Sequence, residues 1–338
     1  MKAAVIQIEW HPSDAEGGKN APLMALDMTP ACASGQTVLA TAGQDNMVRL
    51  WRVQRGKSDA TSSGTPAGSV VPGAEGDAAR PVHLIDLEDH AQSVNVARFS
   101  PNGECLATAG DDAYVVVYAL DRTKFPRGEA RWDAITSPRQ LIRRAMKGHA
   151  SEVYDLAWSS DSSMVASGSI AGKILLWEAL SGREVASNNS HSGFVQGIAW
   201  DPKGALLASQ CGMARCCVHK MGGDGHFSNT VVIRRRRFTA PLPSKSASGE
   251  SPASKEESQA EAATAASGSG SPVVKKSVRR PQSHAIFVDN MSMESFFRRL
   301  TWSPDGSLLF TPAAQFKQDA DSTMVPTVYG YLRGQWDA

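Results

Sequence analysis

The sequence predicts an all-β fold assembled from repeated four-stranded sheets, arranged as the blades of a propeller. Two observations predict it. Residues 89–118, 148–177 and 190–219 align without a gap, and self-similarity at a fixed layout decides architecture before any local propensity does. Each copy also reads as an alternating strand, a polar turn of the type S-P-N-G or D-P-K-G, an apolar strand, a tight turn and a third β-rich strand. A fourth strand is expected in the variable region that follows. His90, His149 and His191 each lie 28 residues before Tyr118, Trp177 and His219, and Phe99, Trp158 and Trp200 each lie 19 before those same three residues.

Taken in order, residues 1–10, MKAAVIQIEW, have the shape of a strand that closes a ring by pairing into the last blade. Blade 1 is read over 21–56, with a longer first turn and with Thr41, Asp45 and Trp51 in register with the later copies. Residues 57–80 are rich in Ser, Gly, Ala and Pro and read as a disordered loop. Blade 2 is assigned to 81–130 with His90, Thr108, Asp112 and Tyr118, and blade 3 to 140–185 with His149, Ser167 and Trp177. Blade 4 takes 186–238, and 239–281 reads as a second, basic and disordered insertion, because it holds too few large apolar groups to offset its ordering entropy. Residues 285–338 make part of a fifth blade, in which Phe297, Leu300 and Trp302 take the places of Val153, Leu156 and Trp158.

Composition excludes some classes. With 338 residues, 41% apolar and 20% charged, the chain has the make-up of a globular protein. No apolar run approaches the roughly 18 to 20 residues of a spanning helix, and the first ten residues carry no cleavage pattern, so a membrane partner is not expected. Five cysteines without framework spacing suggest free thiols in a reducing compartment, cytoplasm or nucleus. The formal charge of +1 is uneven, since residues 231–280 hold ten Lys/Arg against four Glu and leave the remainder mildly acidic.

The G-H and W-D elements resemble the WD40 repeat. In such repeats a turn Asp joins the His and a Ser or Thr in a buried hydrogen-bonded set. Asp45 and Asp112 fill that place here, whereas Ala171 and Met213 do not, so the corners of blades 3 and 4 are expected to be less rigid. MKAAVIQIEWHP, SVNVARFSPNGECLATAGDD, VQGIAWDP and above all SFFRRLTWSPDGSLLFTP narrow the likeness. They resemble the middle, WD-repeat subunit of chromatin assembly factor 1. The resemblance implies a seven-bladed propeller, of which about four and a half blades lie in this chain, with a further C-terminal tail in the family. It implies a nuclear, non-enzymatic scaffold that helps deposit histones H3–H4 on newly replicated DNA. The implied partners are the large subunit and the small WD-repeat subunit of that factor, with H3–H4 contacted directly or through a partner. Direct contact with DNA, a cofactor and a metal are not expected. Two alternatives are the propeller of a replication-independent histone regulator, disfavoured by SFFRRL, and a substrate receptor of a ubiquitin ligase. The second is disfavoured because Glu178, Ala179 and Leu180 follow Trp177 and supply no Arg two places beyond a W-D pair.

Three groups of residues invite a site reading. Phe296, Phe297, Arg298 and Arg299 stand at the start of a blade's first strand and can dock a partner segment by bidentate hydrogen bonds and stacking. Equally, the arginines can bridge to acidic groups of the neighbouring blade while Phe296 fills the gap between blades. Arg234, Arg235, Arg236 and Arg237 with Lys275, Lys276, Arg279 and Arg280 form split basic clusters, readable as a nuclear import signal, as phosphate contacts or as a solvated loop; the first four also fit the end of an outer strand. Cys211, Cys216, Cys217 and His219 read as a buried thiol cluster, because adjacent Cys216 and Cys217 point to opposite faces of a strand. The recurring histidines read as structural. No nucleophile with an adjacent base and no phosphate-cradling glycine loop is found.

Overall fold

A computed structural model describes residues 21–30, 37–53, 81–125, 130–222, 225–233, 235–237, 283–288, 297–316 and 323–336. The expected closing strand and the 57–80 loop lie outside the described residues, as does nearly all of the basic insertion.

Four antiparallel four-stranded sheets follow one another along the chain. Blade 1 is β1 (Leu23–Met28), β2 (Thr37–Gly43), β3 (Val48–Val53) and β4 (Pro81–Leu87). Blade 2 is β5 (Val94–Phe99), β6 (Cys105–Gly110), β7 (Tyr114–Leu120) and β8 (Leu141–Lys147). Blade 3 is β9 (Val153–Trp158), β10 (Met164–Ser169), β11 (Ile174–Glu178) and β12 (Glu184–Asn188). Blade 4 is β13 (Val195–Trp200), β14 (Leu206–Cys211), β15 (Arg215–Met221) and β16 (Phe227–Ile233). A two-stranded ladder of β17 (Arg235–Arg237) and β18 (Ser283–Ala285) comes next. A three-stranded sheet of β19 (Thr301–Trp302), β20 (Leu308–Phe316) and β21 (Val325–Leu332) makes blade 5.

Several boundaries differ from those expected: residues 186–188 belong to β12 of blade 3, and Arg235–Arg237 pair with Ser283–Ala285 outside the sheet of blade 4. Residues 81–87 complete blade 1 and residues 141–147 complete blade 2, rather than opening blades 2 and 3. The outer strands of blades 1 to 3 immediately precede the next His-bearing turn, so a repeat counted from its loops takes that strand into the wrong sheet.

The second and third strands are apolar on both faces because blades stack on both sides of them; all six residues of β6 are buried. The core is accordingly divided into clusters between blades. One holds Leu50, Leu106 and Tyr118 of blades 1 and 2, another Val117, Leu156 and Trp177 of blades 2 and 3. A third packs Leu176 against Ile198, and a fourth packs Val218 against Leu300 and Trp302. Indole hydrogen bonds tie the blades at matching positions: Trp158 Nε1 donates to Arg98 O at 2.9 Å and Trp302 Nε1 to Ala199 O at 3.2 Å.

The turns are as regular as the strands. The first hairpin turn holds a left-handed residue at the same place in blades 2 to 5: Gly103 (φ 72°), Ser162 (φ 63°), Gly204 (φ 78°) and Gly306 (φ 66°). The second turn does so at Asn46, Ala113, Gly172 and Ala214 in blades 1 to 4.

Candidate functional site: the charged centre of the ring

The first strands of successive blades pack beside one another, and in blades 1 to 4 that strand carries the same irregularity. Its pairing with the second strand slips by one residue at Met24, Asn95, Tyr154 and Gln196. A bulged residue is left out of the ladder, so its backbone groups are free to take other partners. Asn95 O accepts from Arg299 Nη2 at 2.8 Å, Met24 O lies 3.4 Å from Arg299 Nη1, and Gln196 O accepts from Arg298 N at 2.9 Å. Blade 5 thus meets the centre through the arginine pair.

Arg299 also faces Asp155 of blade 3. Its Nε lies 3.5 Å from Asp155 Oδ1, an ion-pair distance longer than a good hydrogen bond, and Arg98 Nη2 approaches the same oxygen to 3.7 Å. Asp155 Oδ2 accepts from Ile198 N at 3.0 Å. The carboxylate is 1% exposed and burial raises its pKa, while Arg98 and Arg299 pull it back. Burial likewise lowers the Arg299 pKa against the raising effect of Asp155. Asp27 of blade 1 is raised by burial and held down by its bond from Phe99 N, 2.7 Å, and by Arg98. Four blades therefore contribute Asp27, Arg98, Asp155 and Arg299, two charges of each sign, to the rim of a cavity of about 600 Å³. The Arg299 guanidinium lies 4.0 Å from the Phe297 ring centroid, and that ring meets Tyr154 edge-on at 6.1 Å.

This placement corrects the docking role expected for Arg298. The side chain is fully buried, its Nη1 bonds Val288 O, and its backbone crosses so close to blade 4 that a Cβ on Gly197 would lie 2.0 Å from Arg298 O. A wholly buried guanidinium presents nothing to a partner. Arg299 does bridge to an acidic group, as the other reading held, but across the ring in blade 3 rather than in the neighbouring blade. Phe297 is partly buried between Tyr154 and Arg299, and Phe296 lies outside the described residues. Sequence reasoning missed Asp27, Arg98 and Asp155. The charge in otherwise apolar first strands was the signal that could have found them.

The blade signature residues sit where spacing put them. In blade 2, His90 Nε2 is 2.8 Å from Thr108 Oγ1 and Nδ1 is 2.9 Å from Asp112 Oδ2. In blade 3, Ser167 Oγ bonds His149 Nε2 at 2.7 Å and Trp177 Nε1 at 2.8 Å. In blade 1, Trp51 Nε1 donates to Thr41 Oγ1 at 2.9 Å, but Asp45, expected to join a histidine, pairs instead with Arg49 at 2.5 Å. Tyr118 is buried in the cluster between blades 1 and 2. Where Ala171 and Met213 replace the turn Asp, Nδ1 of His149 and of His191 is buried and finds no partner among the described residues. Burial lowers these histidines to about 4 and about 3, so both are neutral.

Of the basic clusters, Arg235–Arg237 form a backbone ladder with Ser283–Ala285, so the second insertion leaves and returns through one two-stranded stem. The stem follows directly on β16, and beyond its second strand Ile286 and Phe287 are buried against blades 4 and 5. Arg234, Lys275, Lys276, Arg279 and Arg280 lie outside the described residues. Cys105, Cys211, Cys216 and Cys217 are free and buried.

Repeated antiparallel four-stranded sheets, indole ties between blades and a His–Ser/Thr corner in three of them define a WD40-type β-propeller. The model of the CAF1B/HIR1 beta-propeller domain matches residues 1–251, and the chain belongs to that family. It is 30% identical over 334 residues to the B subunit of chromatin assembly factor 1 from Gallus gallus, covering 97% of this chain and 48% of the relative. The corresponding protein of Saccharomyces cerevisiae is 27% identical, covering 98% of this chain and 63% of that protein. Protein hir1 of Emericella nidulans is 28% identical, over 88% of this chain and 23% of its own length. The chain spans about half the length of the Gallus gallus and Mus musculus proteins it matches, 48% and 47%.

Proposed function

We propose that this chain is a non-enzymatic scaffold subunit of a nuclear histone chaperone complex, with H3–H4 as the cargo deposited on newly replicated DNA. The observation that carries the reading is similarity to the B subunit of chromatin assembly factor 1 along 97% of the chain, across all five blades, where the similarity to hir1 extends over 88%. The mechanism is binding alone. The centre of the ring spends its charges on one another, with Asp155 held between Arg98 and Arg299. A core tied in this way keeps the blades in fixed relation, so that the outer rims present preorganised surfaces to a larger partner subunit. Cargo would be held by the assembly and kept from premature contact with DNA.

Affinity purification of the tagged chain from nuclear extract tests this. The expected companions are the large and small subunits of chromatin assembly factor 1 together with H3 and H4. Recovery of ubiquitin-ligase adaptors, or of histone-regulator subunits in their place, would overturn it.

A further inference from the structure

Blade 4 departs from its neighbours at one corner. His219 stands where Trp51 and Trp177 stand in blades 1 and 3, and Met213 stands in the place of Asp112. The replacement of an indole by an imidazole sets two histidine rings face to edge, with centroids 6.5 Å apart, joined through Ser209 Oγ at 2.7 Å to His191 and 2.9 Å to His219. Cys217 precedes His219 by two residues in β15 and so shares its face, while Cys216 turns the other way into the cluster between blades 4 and 5. One donor atom from each of His191, Cys217 and His219 lies within 4.8 Å of the other two, and all three residues are buried.

We propose that His191, Cys217 and His219 form a buried three-coordinate site for a soft monovalent metal ion, Cu(I). The donor set is one thiolate and two imidazoles, which suits Cu(I). Three donors fall short of the four that a structural zinc takes. Charge decides in the same direction. Binding replaces the Cys217 proton by the ion and releases that proton to solvent, so Cu(I) leaves the site neutral. A divalent ion would leave one uncompensated positive charge in an apolar interior, which is costly. His219 gives up a hydrogen bond on binding, either to Ser209 or to Thr230 Oγ1, which is 2.9 Å away. The pocket then contracts until the donors meet the shorter spacing of a metal-bound set.

The test is anaerobic titration of the full 338-residue chain with Cu(I) in competition with bicinchoninate. One tightly held equivalent is expected, with an X-ray absorption spectrum showing one sulfur and two nitrogen neighbours. Cys217→Ser and His219→Trp should each weaken binding by roughly 100-fold or more, on the scale of losing a ligand. Cys105→Ser, at a thiol between blades 2 and 3, should leave it unchanged. His219→Trp guards against a trivial loss of fold, because it restores the residue whose indole bonds Thr41 and Ser167 in the sister blades; its melting temperature should not fall. Absence of a bound equivalent, equal affinity in Cys217→Ser, or equal loss in Cys105→Ser would each overturn the assignment.

Discussion

Acid should destabilise this propeller through the two histidines that lack a turn carboxylate, and restoring that carboxylate should relieve it. His149 titrates at about 4 in the folded chain against about 6.5 when unfolded. A base whose folded pKa is depressed binds more protons unfolded, so its contribution to stability is complete above pH 6.5 and is lost as pH falls toward 4. At pH 5 the loss for His149 is about 2 kcal/mol, and His191, at about 3, contributes a similar amount. Ala171→Asp places a carboxylate where Asp112 meets His90 Nδ1 at 2.9 Å. The turn backbone already matches, since Ala113 and Gly172 are left-handed at the next position, φ 64° and 79°. With a carboxylate partner, His149 can take up its proton without unfolding, and the loss between pH 7 and 5 should shrink by about 2 kcal/mol. Urea unfolding followed by tryptophan fluorescence at pH 7, 6 and 5 reads the slope directly. If Ala171→Asp and the parent lose stability in parallel, the reasoning is refuted.

Arg299→Met should cost about 3–5 kcal/mol in urea unfolding, because it leaves the Asp155 carboxylate with Arg98 alone and frees the Asn95 carbonyl. Combined with Asp155→Asn the two losses should be strongly non-additive, and simple additivity would show that the pair is not coupled. Gly197→Ala, whose Cβ would lie 2.0 Å from Arg298 O, should loosen the seam between blades 4 and 5 at a cost of about 3 kcal/mol, seen as faster amide exchange in β13 and β20. Unchanged exchange there would mean the seam does not need the close approach. Ser162→Gly relieves a left-handed residue at φ 63° but removes the Oγ that accepts from Asn102 N at 3.1 Å, so two effects of about 1 kcal/mol each should nearly cancel and the urea midpoint should hardly move.

What was legible in the sequence was what repeats or lies close along the chain. The hairpin turns announced themselves by S-P-N-G, D-P-K-G and S-P-D-G, and His90, Thr108 and Asp112 could be placed from their spacing together with the likeness to the WD40 repeat, because one blade holds all three. The outer strands were harder. β4 begins 28 residues after Val53 ends β3, whereas β12 begins six residues after β11, so the loop between them has no fixed length to count by. The buried Arg298 was illegible for a different reason. Charge at the head of a strand reads alike whether that strand faces solvent or another blade's backbone, and only the crossing at Gly197 distinguishes the two.

Local chemistry was enough to fix the kind of object this is: period-two strands, turn residues and recurring histidines each act within a few residues, and every blade is written in its own stretch of chain. The centre was settled only by the assembled ring. Met24, Asn95, Asp155 and Arg299 are separated by up to 275 residues and meet only because stacked, twisted sheets bring their first strands around one axis. Coulombic and hydrogen-bonding partners are chosen by distance in space, and a ring makes that distance short where the chain makes it long.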